Sequence, residues 1–242
     1  MRVAVISDAH ANLHALEAVR QAIERDRPDE IWNLGDTVGY GPRPNECCDL
    51  IEPLAAISLV GNHDLAAIGQ LPLDDFTPVA AAAVTWAKEH LSESARAYLA
   101  ALAPMSRVSG CALFHGSPRG PVWAYVLKPS EIADSFARTG EPLLLVGHTH
   151  AAMAASLMNR QLVLERADAG AIVDLTRGRW LLNPGSVGQP RDGDPRAAYL
   201  LLDLDAGRAE FKRVEYDVER TQIEIQKLGL PEQLAARLSH GL

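Results

Sequence analysis

The chain has 242 residues, of which 48% are hydrophobic and 22% charged, and its formal net charge is −8. This is the composition of an ordinary globular protein with enough residues for a large core, and we expect a single domain over residues 1–242. The acidic balance argues against binding to duplex nucleic acid or to an anionic membrane surface, since both require clustered Lys and Arg.

The number and spacing of the cysteines, and the first residues of the chain, bear on the subcellular location. The three cysteines are an odd number without Cys-x-x-Cys spacing, which is typical of reduced, cytosolic sulfur. The apolar run at residues 3–6 is much shorter than a signal-peptide core, and no uncharged apolar segment approaches the roughly 20 residues of a membrane span. We therefore expect a cytoplasmic protein.

The first third of the chain alternates between strand-like and helical patterns. Strands are predicted at residues 2–7, 30–36 and 55–60, and helices at residues 12–27 and 44–51. The third strand is expected to end in a loop that carries residues 61–64. This alternation favours parallel strands joined by crossover helices.

The pattern changes after two alanine-rich helices predicted between residues 78 and 102. Short strand-like runs then follow at 111–115, 143–147, 161–165, 170–175, 179–182 and 197–204, with one helix near 130–139. A final helical segment, 217–238, is interrupted at residues 229–231. We expect two sheets packed face to face with helices outside, the second sheet being largely antiparallel.

Polar side chains fall at the ends of five predicted strands. They are Asp8 and His10, Asp36, Asn62 with His63 and Asp64, His115, and His148 with His150. Each group alone has an ordinary explanation, such as a polar turn, a glycine loop or a strand-end histidine. Because ligands of open α/β sheets bind at the carboxyl ends of strands, their joint occurrence there indicates one functional site.

The chemistry of these side chains predicts a metal centre. The set contains no thiolate, which argues against a structural zinc site of the cysteine type. Mixed oxygen and imidazole ligands suit Mn, Fe, Co, Ni or Zn in an open site, and a His-x-His pair such as His148 and His150 presents both imidazoles on one face. Seven ligand-capable side chains exceed the need of one ion, so we expect two ions that share a carboxylate. The seven are Asp8, His10, Asp36, Asn62, His115, His148 and His150.

Five motifs resemble those of the calcineurin-like metallophosphoesterases. They are Asp-x-His (8–10), Gly-Asp-x-x-Gly (35–39), Gly-Asn-His-Asp (61–64), His-Gly (115–116) and Gly-His-x-His (147–150), in the family's order. The stretches FHGSPR (114–119) and NPGSVGQPRDGDPRAAY (183–199) further resemble a small bacterial and archaeal, phosphodiesterase-like subgroup. The resemblance implies a four-layer α/β/β/α sandwich of two mixed sheets, with a dinuclear metal site at the C-terminal ends of the strands.

The resemblance also implies roles for the motif residues. It makes Asp8, His10 and His150 ligands of one ion and Asn62, His115 and His148 ligands of the other, with Asp36 bridging. The implied ions are divalent transition metals, with Mn²⁺ favoured over Fe, Ni, Co or Zn. A hydroxide formed from the bridging water would attack phosphorus.

His63 is not a ligand in this scheme. By similarity it lies beside the bound phosphate and, as a general acid, protonates or stabilises the leaving oxygen. Asp64 is expected to accept a hydrogen bond from the His63 ring, which would orient the ring and keep it cationic. The alternative for Asp64 is a structural cap of the segment that follows.

Arginines near the motifs are candidates for phosphate binding, because a guanidinium fork matches phosphate oxygens. Arg119 and Arg191 are assigned this role, and Arg196 is a third candidate. The alternative is a solvated loop charge or a structural ion pair with Asp192 or Asp194.

The expected function is metal-dependent hydrolysis of a phosphate ester, with a phosphodiester favoured. The expected partner is a small phosphorylated substrate, nucleotide-like chemistry included, without membrane or duplex nucleic acid. Two alternatives stay open: a metal-binding protein-interaction module of the same fold, and a nuclease acting on short single strands. The sequence also leaves the substrate and a homo-oligomeric state open.

Overall fold

A computed structural model describes residues 1–165 and 167–242. The strands are β1 (Arg2–Ile6), β2 (Glu30–Asn33), β3 (Ile57–Ser58), β4 (Met105–Val108), β5 (Cys111–Phe114), β6 (Leu143–Leu145), β7 (Met153–Met158), β8 (Gln161–Glu165), β9 (Ile172–Asp174), β10 (Arg179–Asn183), β11 (Ala197–Asp203) and β12 (Arg208–Val214). The helices are α1 (Leu13–Asp26), α2 (Pro44–Leu54), α3 (Asn62–Ala67), α4 (Pro78–His90), α5 (Glu93–Ala101), α6 (Pro129–Arg138), α7 (Val218–Lys227) and α8 (Glu232–Ala236), and a 3₁₀ turn follows at Arg237–Ser239. Within these two ranges, no helix has the length and apolar character needed to cross a membrane.

The strands form two sheets of six. The first has the order β3-β2-β1-β11-β12-β9, in which β1, β2 and β3 are parallel and the other neighbours antiparallel. The second has the order β4-β5-β6-β10-β7-β8, with β5, β6 and β10 parallel and the outer neighbours antiparallel. The second sheet is therefore mixed rather than largely antiparallel, because α6 provides the crossover that parallel pairing of β5 and β6 requires.

Alternating side chains along the strands separate the layers. In β1, Val5 packs between the two sheets, whereas Ile6 packs in the layer that includes the apolar face of α1. In β6, Leu145 lies between the sheets and Leu144 packs with Phe136 of α6. Both strands thus contribute to two cores, and the expected α/β/β/α sandwich is confirmed.

Three strands and one helix do not follow from the sequence patterns. β4 and β7 lack a run of β-branched residues, and β12 mixes charged residues with Ala209 and Phe211, which pack in the core between the sheets. β12 is held by seven residue pairs with β11, a long-range pairing that propensity does not reveal. α3 occupies residues 62–67, where a loop was expected.

The C-terminal helices pack beside the first glycine-rich motif. Ile225 of α7, Leu234 of α8 and Leu238 of the 3₁₀ turn form an apolar cluster with Ala83 of α4, and Tyr40 packs against it. This packing brings the end of the chain close to the loop that follows β2.

Candidate metal centre

Seven predicted ligand side chains meet at one edge of the two sheets. They are Asp8 and His10 after β1, Asp36 after β2, Asn62 at the start of α3, His115 after β5, and His148 and His150 after β6. None of them exposes more than 4% of its surface. Six of them, together with His63, form overlapping groups whose side-chain ligand atoms lie within 4.8 Å of one another, namely Asp8–His10–His150, His10–Asp36–His63 and Asp36–His115–His148.

The two carboxylates each use one oxygen on the protein and leave the other unpaired. Asp8 Oδ2 accepts hydrogen bonds from the Ser7 hydroxyl at 2.6 Å and the His148 amide at 3.1 Å. Asp36 Oδ1 accepts one from the His63 amide at 2.9 Å. Asp8 Oδ1 and Asp36 Oδ2 are buried and have no hydrogen-bond partner in the described parts of the chain. Because an unsatisfied buried acceptor is costly, these two oxygens indicate a cation.

Imidazole lone pairs face the same space. His10 Nδ1 lies 3.1 Å from the Val38 carbonyl oxygen, and His150 Nδ1 lies 2.7 Å from that of Gln189. Since a carbonyl oxygen only accepts, these nitrogens carry the protons of the neutral rings. The Nε2 atoms of His10 and His150 then present lone pairs to each other across 3.0 Å, an arrangement that a cation stabilises.

The second half of the cluster repeats this arrangement. His115 donates from Nδ1 to the Leu34 carbonyl at 3.0 Å, and His148 donates from Nε2 to the Trp123 carbonyl at 3.1 Å. The remaining nitrogens, His115 Nε2 and His148 Nδ1, lie 3.2 Å apart, and Asn62 Oδ1 lies 3.2 Å from His115 Nε2. Acceptor atoms therefore converge in both halves.

The cluster has a negative electrostatic potential. Burial lowers the pKa of His63 to about 4 and that of His148 to about 3, and it acts in the same direction on His10. Burial also lowers the pKa of His115, but the interaction with Asp36 and the charges of Asp8 and Asp64 together outweigh burial and raise this pKa to about 9. His115 thus holds an extra proton, whereas most rings of the site are neutral. A divalent cation can take the place of that proton.

Asp36 lies where the two halves of the cluster meet. Its Oδ2 atom is 3.5 Å from His10 Nε2 and 3.3 Å from His115 Nε2, while Asp8 Oδ1 is 3.3 Å from His150 Nε2. Oxygen and imidazole donors without thiolate suit divalent transition metals. The residues present therefore fit such ions.

His63 lies beside the cluster. Its ring centre is 4.7 Å from that of His10, 4.4 Å from that of Tyr40 and 5.1 Å from that of Phe76. Its Nδ1 atom is buried and lacks a hydrogen-bond partner among the residues that the structure describes. This nitrogen faces Gly39, since a Cβ atom built at Gly39 would lie 2.7 Å from it.

The expected hydrogen bond between Asp64 and the His63 ring is not formed. Asp64 Oδ1 accepts from the Val38 amide at 2.9 Å, and Oδ2 accepts from the Gly61 amide at 3.0 Å. Asp64 is the third residue of α3, a position from which a carboxylate turns back to cap the helix start. The predicted contact with His63 was wrong, and the structural alternative describes Asp64 instead.

The three arginine candidates have different surroundings. The guanidinium carbon of Arg191 lies 5.4 Å from the ring centre of Tyr40, beside the cluster. Arg119 is exposed, and its charge acts on acidic residues of α6 in the outer layer. Arg196 forms an ion pair with Asp194 at 2.7 Å, which is the structural alternative. The structure thus brings Arg191 to the cluster, but not Arg119 or Arg196.

Sequence reasoning missed residues that shape the cluster without being predicted ligands. Ser7 holds one of the carboxylates, Tyr40 contacts two of the rings, and the Gln189 carbonyl orients a third. The Tyr125 ring stacks on His148 with centres 4.0 Å apart. Two of these residues could have been found from their positions in the sequence, because Ser7 adjoins the first motif and Tyr40 adjoins the second.

Fold and site together define an α/β/β/α sandwich protein with a candidate metal centre at its strand ends. Residues 1–207 match the family model of the calcineurin-like phosphoesterase superfamily domain. The chain belongs to this family.

Relatives cover nearly the full chain. An uncharacterised protein of Methanocaldococcus jannaschii is 38% identical over 244 residues, covering 99% of this chain and 98% of the relative. A metallophosphoesterase structure from Sphaerobacter thermophilus is 45% identical with a TM-score of 0.89, covering 100% of this chain and 99% of that one. A hypothetical protein from Pyrococcus horikoshii OT3, 21% identical, has the same fold with a TM-score of 0.79 over 100% and 98%. The family and fold that the motifs predicted are confirmed.

Proposed function

We propose that the protein is a dinuclear metal-dependent phosphoesterase that hydrolyses a P–O bond of a small phosphate ester, a diester in preference to a monoester. The observation that carries this proposal is the convergence of two unpaired carboxylate oxygens and the lone pairs of neighbouring imidazoles on one buried space. Membership of the phosphoesterase family supports the reaction class. The diester preference follows the subgroup that the sequence resembles.

The ligands divide into two sets in this proposal. Asp8, His10 and His150 would hold one ion, Asn62, His115 and His148 would hold the other, and Asp36 would be shared. Divalent cations at these positions, with Mn²⁺ favoured, would supply a nucleophile from water at neutral pH and would neutralise charge on the phosphate. The backbone carbonyls that accept from the ring nitrogens keep each imidazole in the tautomer that a metal requires.

His63 acts on the leaving group in the proposed reaction. Burial lowers its pKa to about 4, so the ring is neutral before a substrate binds. The negative charge of a bound phosphate ester favours the imidazolium, whose proton is then passed to the leaving oxygen. Asp64 supports this step indirectly, because its carboxylate holds the backbone on both sides of the site.

Two variants test the division between ligand and acid. Asp36→Asn removes the shared charge and should abolish both metal binding and turnover. His63→Ala should slow turnover by about 10²–10⁴-fold and leave the metal content unchanged. Metal analysis of the purified variants, with hydrolysis of bis(p-nitrophenyl) phosphate assayed in parallel, measures both effects. His90→Ala, at an exposed histidine of α4, is the matched control.

Loss of metal from His63→Ala would contradict its assigned role and make it a ligand. A panel of phosphomonoesters, phosphodiesters and nucleotides, assayed with Mn, Ni, Co, Zn and Mg, tests the activity itself. If the metal-loaded protein hydrolyses none of them, the proposed function fails and the interaction-module alternative is favoured.

A further inference from the structure

Two arginines from distant parts of the chain converge on one amide oxygen beside the metal centre. Arg191 Nη2 donates to Gln189 Oε1 at 2.8 Å, and Arg237 Nη1 donates to the same oxygen at 3.1 Å. Gln189 is buried, with 2% of its surface exposed, and both arginines are half-buried. The guanidinium groups of residues 191 and 237 thus face one small region.

This region is joined to the metal centre by direct hydrogen bonds. The Gln189 carbonyl accepts from His150 Nδ1 at 2.7 Å, and the Arg191 amide donates to the His150 carbonyl at 3.0 Å. Arg191 also lies over the Tyr40 ring, whose centre is 4.6 Å from that of His10. The arginine pair therefore adjoins the half of the cluster formed by His10 and His150.

Among the described residues, no acidic side chain pairs with either of these two positive charges. Neither Arg191 nor Arg237 forms an ion pair within residues 1–165 and 167–242, whereas the nearby Arg196 and Arg213 pair with Asp194 and Asp192. Arg191 Nε is buried without a hydrogen-bond partner in the described chain. Burial, together with the charge of Arg191, lowers the pKa of Arg237. Two close, half-buried guanidinium groups in an acidic protein are stabilised by an anion that both can bind.

A ligand can reach Arg237 from solvent. Arg237 lines an open cleft of about 460 Å³, together with Val79, Leu234 and Leu242. The residue lies beyond position 207, where the match to the family model ends. The second arginine is therefore supplied by a part of this chain outside the matched domain.

We propose that Arg191 and Arg237 form a second phosphate subsite next to the metal centre, and that the preferred substrate carries a terminal phosphate beside the ester that is cleaved. The choice of substrate rests on the proposed phosphoesterase function, whereas anion binding by the arginine pair does not. Phosphate at this subsite replaces the Gln189 amide oxygen as acceptor, and each guanidinium donates to it in a forked geometry.

Phosphate binding tests the subsite without turnover. Titration calorimetry of the Mn²⁺-loaded protein with inorganic phosphate should give two phosphate ions per chain. Arg237→Gln should bind one phosphate ion per chain, or bind the second with an affinity lower by about tenfold or more, because a charge-assisted hydrogen bond is lost. Arg220→Gln, at an exposed arginine of α7, should bind two as the parent does. A single phosphate in the parent, or two unchanged in Arg237→Gln, would overturn the proposal.

Kinetics test the choice of substrate. The parent should prefer a thymidine dinucleotide with a terminal 5′-phosphate over the same dinucleotide without it, through a lower KM. Arg237→Gln should remove this preference by raising the KM of the phosphorylated dinucleotide more than that of the unphosphorylated one, whereas Arg220→Gln should keep the parent's preference. Equal losses on both dinucleotides would contradict the subsite, because both arginines would then bind the cleaved phosphate itself. If neither dinucleotide is cleaved, the proposed function fails for this class, and the phosphate stoichiometry still decides the subsite.

Discussion

Left-handed backbone conformations are concentrated at the residues that line the candidate metal centre. Asp8, His10, Asp36, His148 and His150 have φ values between 46° and 65°. This conformation costs roughly 1–2 kcal/mol for a residue with a Cβ atom. It is tolerated where the surrounding structure holds it, and such strain is typical of functional sites. This backbone conformation thus lowers the stability of the fold at the residues whose side-chain ligand atoms converge.

Gly39 illustrates how closely the backbone approaches these rings. Its φ is 134°, and a Cβ atom there would lie 2.7 Å from Nδ1 of both His10 and His63. We expect Gly39→Ala to displace both rings and to lower kcat/KM for bis(p-nitrophenyl) phosphate by about 100-fold, the effect of an error of about 1 Å in position. Circular dichroism of the variant shows whether it remains folded.

Gly140→Ala is the matched control, because a Cβ atom at Gly140 meets nothing within 4 Å. Its activity should equal that of the parent. A folded Gly39→Ala variant with parental activity would show that the rings move aside without loss of function.

At the scale of elements, one carboxylate ties three helices of the outer layer together. Glu224 of α7 accepts from Arg43, the residue before α2, at 2.8 Å and 3.1 Å, and lies 3.1 Å from Nε2 of His14 in α1. The hydrogen bond from Arg43 lowers the pKa of Glu224 from 4.5 to about 2. Since the folded-state pKa is depressed, the stabilisation is present above pH 4.5 and is lost as the pH falls towards 2.

We expect Glu224→Gln to lower the free energy of unfolding at pH 7 by about 1 kcal/mol, a value reduced by solvent screening because Arg43 is partly exposed. The difference in the free energy of unfolding between the variant and the parent should be smaller at pH 3. Urea unfolding at both pH values, with chelator present throughout, measures it. Glu52→Gln, at an exposed glutamate of α2, is the control and should have no effect at either pH. A deficit that is equal at both pH values would mean that packing, and not the ion pair, is lost.

At the scale of the whole molecule, the candidate ligands come from both sheets. Asp8 and Asp36 follow β1 and β2 of the first sheet, while His115 and His148 follow β5 and β6 of the second. Ions held by these side chains would connect the two sheets at one edge. Metal binding should therefore stabilise the entire sandwich.

We expect Mn²⁺ at about 100 times its dissociation constant to raise the free energy of unfolding by about 2.7 kcal/mol, with the opposite change on chelation. Thermal unfolding in Mn²⁺ and in EDTA measures this. The gain should decrease in acid, because the ligand imidazoles must be neutral to bind metal. In the Asp36→Asn variant, Mn²⁺ should raise the free energy of unfolding only slightly. An identical Tm for metal-loaded and chelated parent protein would contradict the role of the ions in joining the sheets.

Local sequence determined the family, the first parallel strands and the set of residues that meet at the site. These features follow from short patterns: the period of apolar residues, the Asn12 cap of α1, and polar side chains placed directly after strands. Such signals lie within a few residues of one another, so they can be recognised without knowledge of the fold. The family, the α/β/β/α architecture and the convergence of His10, Asp36 and His115 were accessible for that reason.

Only the tertiary structure decided which contacts form between distant segments. Asp64 binds the backbone of Val38, 26 residues away, instead of the adjacent His63 ring. β12 exists as a strand because β11 pairs with it, and Gln189 and Arg237 meet across 48 residues. Contacts of this kind depend on how loops close and layers pack, and no local pattern encodes them.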